Sequence, residues 1–283
     1  MTEIQARRVR YFDKAGLALT LLTMVCAVIW AFPLYWSAVT TLKPEQEVVR
    51  PYVELWPDTF TLEAYVHVIT QTNMGIWYLN SLVTSAAVTL GVILMGVMAG
   101  YAISQLRFPG RRLLWWMILA SFMVPIPALI VNHYILMADA GFLDSWAGIV
   151  VPQLIHPVVV IVYKQFFDSV PPEYREAAVI DGASHFQMLF RIFLPMNWGV
   201  TTALAVITFI GAWNAFLWPF LAVNHEDQMT ITVGITQVND AFGVYYARDL
   251  AAAVMAALPV AIIYLIFQRR VTQAITLSAG IKG

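Results

Sequence analysis

Six stretches of the chain run for at least 19 residues without Asp, Glu, Lys or Arg: 15–42, 64–106, 113–138, 145–163, 192–225 and 250–268. About 20 apolar residues cross the hydrocarbon core of a bilayer as a helix. Backbone groups in lipid must be satisfied within their own segment, so runs of this length predict helices rather than strands. The start of the 64–106 run holds His67, Gln71, Thr72 and Asn73, which places the beginning of its span near Leu79. The pattern predicts an all-α membrane protein with six transmembrane helices, near 16–37, 79–104, 113–137, 145–164, 199–223 and 249–268. The first run contains Trp30, Pro33 and Trp36 and no small-x-small site follows it, so it is expected to remain as an anchor rather than a cleaved signal.

Charge orients the spans. Lys and Arg concentrate on the cytoplasmic side of membrane proteins. With both termini placed in the cytoplasm, 13 of the 16 Lys and Arg residues fall inside, and only Lys43, Arg50 and Arg248 fall outside. The expected organisation is a cytoplasmic N-terminus 1–14, a transmembrane domain 15–268 and a cytoplasmic tail 269–283. Aromatic residues near the predicted span ends, Tyr35 with Trp36, Trp77 with Tyr78 and Trp115 with Trp116, suit a membrane interface.

Composition agrees. Hydrophobic residues make up 60% of the 283 and charged residues 12%, about half the usual share of a soluble domain. The net charge of −1 gives no field that favours nucleic acid. The single cysteine, Cys26, excludes an internal disulfide and reads as a small buried apolar residue.

The inner segment 165–195 is patterned unlike the other loops. Pro171 and Pro172 open a helix expected from Glu173 to about Asp181, and Gly182 suits its stop. Ser184 with Gln187 three residues on reads as a capping box. Phe186, Leu189 and Phe190 give the second short helix an apolar face, and Pro195 precedes the fifth span.

Catalytic chemistry is missing from the pattern. There is no G-x-x-x-x-G-K-[ST] phosphate loop. No histidine spacing suits a metal, and no nucleophile–base arrangement can be argued, so neither catalytic nor metal-ligating residues are expected. The spans carry no central carboxylate, Lys or Arg of the kind ion-coupled carriers use, which places the energy source outside this chain. Neutral polar groups do occur in the runs: Asn80, Thr84, Asn132, His133, Gln153, His156, Thr208, Trp213 and Asn214. Each has a plain reading as interhelical glue. As candidates for a solute path, Trp213, Asn214, Asn132, His133 and His156 offer amide, imidazole and indole groups suited to a neutral polyhydroxylated solute.

The loop then carries a resemblance. Glu176-Ala177-Ala178, Gly182 and Ile192-x-Leu194-Pro195 match, at fixed spacing, the E-A-A-x3-G-x9-I-x-L-P signature of permease subunits in binding-protein-dependent ABC importers. Pro33–Pro44, Pro125–Leu143, Gly211–Pro219 and Ser278–Gly283 are similar to segments of the smaller permease of carbohydrate importers, the maltose-transporter G type. Ala215 departs from that pattern, where relatives often carry an acidic residue.

The resemblance implies a type I ABC importer permease fold. It implies that Glu176, Ala177, Ala178, Asp181, Gly182, Phe186, Ile192, Leu194 and Pro195 form a coupling loop docked on an ATPase. The implied partners are a second permease, two ATP-binding cassette subunits that hold the ATP and Mg, an extracytoplasmic solute-binding protein and membrane lipid. This chain would hold no cofactor. The implied location is the cytoplasmic (inner) membrane of a bacterium. The expected function is import of a sugar or sugar derivative. A permease for a non-sugar solute such as glycerol phosphate is the alternative, a stand-alone secondary carrier is less well supported, and an intramembrane enzyme lacks its catalytic groups.

Overall fold

The computed structural model describes residues 14–239 and 243–278, and among them every regular element is helical. In chain order the α-helices are α1 (Lys14–Thr40), α2 (Glu45–Val48), α3 (Glu63–Gln71), α4 (Met74–Gln105), α5 (Arg111–Phe122), α6 (Ile130–Asp139), α7 (Trp146–Val150), α8 (Pro157–Asp168), α9 (Pro172–Ile180), α10 (His185–Met188), α11 (Leu194–Met196), α12 (Trp198–Trp213), α13 (Leu217–Ala222), α14 (Ile231–Gly234) and α15 (Tyr246–Ser278). Short 3₁₀ turns precede α6 and follow α7, and a π-helical turn, Leu189–Phe193, joins α10 to α11. Arg7, Arg8 and Arg10, and the tail residues 279–283, lie outside the described residues.

Among the described residues three helices are each long and apolar enough to cross a membrane, within α1, α4 and α15. Three bent pairs pass the same test together, which makes up to six crossings. Two of these breaks fall inside the predicted spans 113–137 and 145–164 and the third just before the span predicted at 199–223, and local chemistry says why. Between α5 and α6 the chain turns by 100° at Pro125 and Pro127, each of which removes a backbone donor. Between α7 and α8 it bends by 47° at Ile155 and His156, and Pro157 pushes the residue before it out of the helical region. Between α11 and α12 it bends by 83° at Asn197, two residues after Pro195. The segment predicted as span 199–223 is also interrupted, with α12 ending at Trp213 and α13 beginning at Leu217.

Helix α4 is the central element and packs against α8 and α12. Its approach to α8 depends on glycine. A Cβ built on Gly96 would lie 2.5 Å from Val159 Cγ1, and one on Gly100 would lie 2.6 Å from Tyr163 Cβ and 3.1 Å from the Lys164 backbone nitrogen. Small residues are the usual means by which apolar helices close on one another in lipid. At one end, α4 and α8 are latched: Ser104 Oγ donates to Asp168 Oδ1 at 2.6 Å, and Gln105 Nε2 donates to the Phe167 carbonyl at 3.1 Å. A core of Val97, Tyr101, Tyr163, Phe167, Met188 and Phe193 fills this end. A second core, around Trp77, Trp213, Ile231 and Ala252, fills the far end.

At that far end the loops are pinned by side chains. Glu45 accepts the backbone N–H groups of Tyr246 and Ala247, at 2.9 and 3.0 Å, and so caps α15 from about 200 residues away in sequence. Asn80, one of the neutral polar groups in the apolar runs, is buried as interhelical glue. Its Nδ2 donates to the carbonyls of Asp227 and Met229 at 2.8 and 2.9 Å, and its Oδ1 accepts Trp146 Nε1 at 2.9 Å. Helix α1 packs mainly on α15, so most of its surface is exposed, including Cys26, which was expected to be buried.

Candidate functional site

The segment from Pro171 to Met196 folds as two arms. The first is α9. It starts at Pro172, where a missing N–H costs nothing. It stops at Gly182, whose φ of +72° is the left-handed conformation a side chain resists. The Gly182 N–H donates to the Val179 carbonyl at 3.1 Å and the Ala183 N–H to the Ala178 carbonyl at 2.9 Å, the paired bonds of a Schellman stop. The second arm starts at Ser184 with the expected capping box: Gln187 N–H donates to Ser184 Oγ, and Ser184 N–H donates to Gln187 Oε1. It continues through the π turn to Pro195. Such turns concentrate at functional sites.

The two arms face different ways. On α9 only Ala178 is buried, and Glu176, Ala177 and Asp181 are exposed. Exposed with them are Tyr174, Val179 and Ile180, the last at 86% of its full surface, and Phe186 just beyond at 69%. An open cavity of about 540 Å³ lies between Arg107, at the end of the α4 segment, and Pro172, Arg175, Glu176, Val179 and Ile180. In the second arm, Met188, Leu189 and Phe193 are buried, and Ile192 and Leu194 pack against the same core. Asn197 Nδ2 donates to the Phe193 carbonyl at 2.8 Å and steadies the turn into α12. The loop therefore leaves large apolar side chains and two carboxylates exposed along its first arm while its other arm is fastened to the helices.

The candidate path residues separate. Trp213 is enclosed in the core at 2% exposure, its Nε1 donating to the Ala256 carbonyl at 3.1 Å and its ring against Phe209 and Tyr78. Asn214 ends α12 and its side chain is exposed. His133 on α6 meets Trp218 of α13 edge to face at 5.9 Å, and Trp218 Nε1 donates to the Gly148 carbonyl at 3.1 Å. Asn132 on α6 and His156 at the α7–α8 bend are exposed. The structure thus joins His133 to the segment following Asn214 and leaves Trp213 facing inward.

Several residues that hold these regions carry no sequence motif. Tyr101 and Phe193 sit in apolar runs, and Phe167 just past the end of one, where nothing distinguishes them from other aromatic residues. Asp144 holds the turn after α6 with φ of +55°, and the Asn224 N–H donates to its carboxylate at 2.5 Å. That backbone bond, opposed by burial and helped by the Asn224 side chain and the His225 N–H, holds the Asp144 carboxyl below its usual range. Burial works against the charge of Glu47, but backbone N–H groups of Asp58 and Thr59 outweigh it and also lower that carboxyl.

Comparison with known proteins places this geometry. Residues 92–276 match the family model of the binding-protein-dependent transport system inner membrane component. The chain is 27% identical over 275 residues to the arabinooligosaccharides transport system permease protein AraQ of Bacillus subtilis, covering 96% of this chain and 98% of that one. It is 29% identical to the diacetylchitobiose uptake system permease protein NgcG of Streptomyces coelicolor, covering 90% of this chain and 85% of that one. It is 32% identical to the sn-glycerol-3-phosphate transport system permease protein UgpE of Pectobacterium atrosepticum, covering 84% of this chain and 88% of that one. In fold it resembles a chain of a bacterial ABC transporter involved in the import of the acidic polysaccharide alginate, with a TM-score of 0.80 at 22% identity over 95% of this chain and 99% of that one. With an all-helical fold among the described residues, a patterned loop over 171–196 and a family match over residues 92–276, the chain belongs to the binding-protein-dependent transport system inner membrane components, transport subunits rather than enzymes.

Proposed function

We propose that this chain is the membrane-spanning permease subunit of an ATP-driven importer for a sugar or sugar derivative, and that α9 is its docking element for an ATPase. The observation that carries the reading is the exposure of Tyr174, Val179, Ile180 and Phe186 together with Glu176 and Asp181, on a loop whose second arm is packed into the helices. An amphipathic helix laid in a groove is a common docking mode. Ala177 and Gly182 keep the approach close, and Ile192, Leu194 and Pro195 carry the second arm back into the helices.

In this reading six spans cross the cytoplasmic membrane of a bacterium with both termini inside: α1, α4, α5 with α6, α7 with α8, α12 with α13, and α15. The partners are a second permease, two ATPase subunits holding ATP and Mg, and an extracytoplasmic solute-binding protein. Binding and hydrolysis of ATP move the docked loop, and the helices alternate between outward- and inward-open arrangements. Asn214, Asn132, His133 and His156 are the side chains nearest to a solute path. Neutral amide and imidazole groups suit hydroxyl-rich solutes, and the names of the AraQ and NgcG relatives point the same way. The UgpE relatives support a glycerol phosphate permease as the second reading.

The test is uptake by the complete transporter in proteoliposomes, with an arabino-oligosaccharide, diacetylchitobiose and sn-glycerol 3-phosphate as probes. Gly182→Val places a β-branched side chain at φ +72°, which costs about 1–2 kcal/mol at the hinge of the two arms. It is expected to abolish uptake while the chain still inserts and assembles. Uptake at the wild-type rate would sink the docking reading.

A further inference from the structure

The buried arm of the docking loop meets the helices through rings. Phe193, in the π turn and 1% exposed, stands edge-on to Tyr101 of α4 at 5.3 Å and to Phe167 of α8 at 5.7 Å. Tyr101 and Phe167 are edge-on to each other at 6.3 Å. The interplanar angles are 79°, 87° and 77°, so each pair in the triad is close to perpendicular. Edge-to-face pairs of this kind are directional, and are worth more than their buried area alone. A second contact lies beside the triad. The Tyr101 hydroxyl is 3.3 Å from His185 Nδ1, in the first turn after the Ser184 cap.

Tyr101 and Phe167 belong to helices that are fastened together. The Ser104–Asp168 and Gln105–Phe167 hydrogen bonds close this end, and Gly100 brings α4 onto the backbone of α8. A displacement of Phe193 therefore acts on α4 and α8 as one body. The first arm touches this body at one buried residue, Ala178, and is otherwise joined to it along the chain through Gly182, the capped turn at Ser184 and the π turn.

We infer that Phe193, seated between Tyr101 and Phe167, is the positioning residue through which movement of the 172–196 loop is delivered to the paired helices α4 and α8, with the Tyr101–His185 contact fixing its register. The inference rests on the docking reading above and adds the route by which a docked loop moves the pathway. A packed network of this kind transmits coupling when it has two discrete arrangements that both ends bias.

The experiment compares hydrogen–deuterium exchange in the complete transporter, nucleotide-free and trapped with ATP and vanadate. In the wild type, trapping is expected to change exchange in 172–196 and also in 97–105 and 160–168. Phe193→Leu keeps an apolar side chain and removes the ring edges. It is expected to keep the change in 172–196 and to reduce the change in the two helix ends by at least about threefold, within the range that single network residues contribute to coupling. Solute transported per ATP hydrolysed should fall with it, whereas a merely structural defect would lower both rates together. Tyr101→Phe removes one oxygen atom and leaves the ring triad. It should give a smaller loss of the same kind, and serves where Phe193→Leu does not assemble. In a double variant with His185→Ala the loss should not add. Wild-type changes reaching 97–105 and 160–168 in Phe193→Leu would overturn the inference and leave the docking reading standing. Absence of any nucleotide-dependent change in 172–196 of the wild type would overturn both.

Discussion

Substituting Gly100 by Ala tests the α4–α8 contact on which the rest of the molecule hangs. The added carbon would lie 2.6 Å from Tyr163 Cβ, 3.1 Å from the Lys164 nitrogen and 3.3 Å from the Tyr163 carbonyl carbon. Carbon atoms meet favourably at about 3.5–4.0 Å, so every one of these approaches is repulsive. Relief is not available from a rotamer change, because the obstacles are a Cβ and the backbone itself. The helices must separate, and the Ser104–Asp168 and Gln105–Phe167 bonds resist that at the same end. Overpacking by one carbon where the surroundings cannot relax costs about 1–3 kcal/mol.

Two other glycines supply the controls. Gly211, inside α12, has open space for 4 Å around the position a methyl group would take, so Gly211→Ala removes only the entropy disadvantage of glycine in a helix and should be neutral or stabilising by up to about 1 kcal/mol. A Cβ on Gly91 would meet Leu154 Cδ2 at 2.5 Å, but that atom ends a flexible side chain that can turn away, so Gly91→Ala should cost less than Gly100→Ala. Thermal unfolding of the three purified variants in one detergent gives the ranking. Gly100→Ala should lower the midpoint by several degrees, at about 2–4 °C per kcal/mol for a chain of this size. A Gly100→Ala protein as stable as Gly211→Ala would refute the close-contact account of the α4–α8 pair.

Two further outcomes follow from the pinned loops at the far end. Glu45→Gln replaces the charged acceptor at the first turn of α15 and should lower the unfolding midpoint, with a cost of about 1 kcal/mol, while Gln46→Ala beside it should not. Asp144→Asn keeps a residue that tolerates φ of +55° and removes the charge. Because the folded carboxyl lies below its ordinary value of 3.8, its stabilising contribution is present above that value and is lost as pH falls through the folded value. The variant should therefore be less stable than wild type at pH 7 and converge with it as the pH is taken below about 3.8, read by unfolding at a series of pH values; a constant difference across the series would refute the linkage.

What the chain reveals in advance depends on which force acts on which residues. Transfer into lipid acts on whole runs, so the charge-free stretches located the apolar helices within α1, α4 and α15 and the broken pairs between them. Local backbone chemistry acts within a few residues, so Gly182 and the Ser184–Gln187 pair could be read directly, and the structure has both the left-handed stop and the capping box. Bends escaped because run length is blind to direction. Pro125, Pro127 and Pro157 were visible, but a proline in an apolar run can kink a helix or end it, and only packing decides. The site divides along the same line. The motif from Glu176 to Pro195 is legible because its residue types recur at fixed spacing, Glu176, Ala177, Ala178 and Gly182 on the exposed arm and Ile192, Leu194 and Pro195 on the buried one. The buried arm has to fit only this chain's own helices, and Tyr101, Phe167 and Phe193 do so by ring geometry that any apolar run could disguise. The same reasoning explains Trp213. An indole in an apolar helix offers one donor, and a nearby carbonyl, here that of Ala256, satisfies it as well as a solute hydroxyl would. A polar group in a span that is buried and paired, as Trp213 is, needs no solute to explain it, whereas Asn214, Asn132 and His156 are left exposed by this chain.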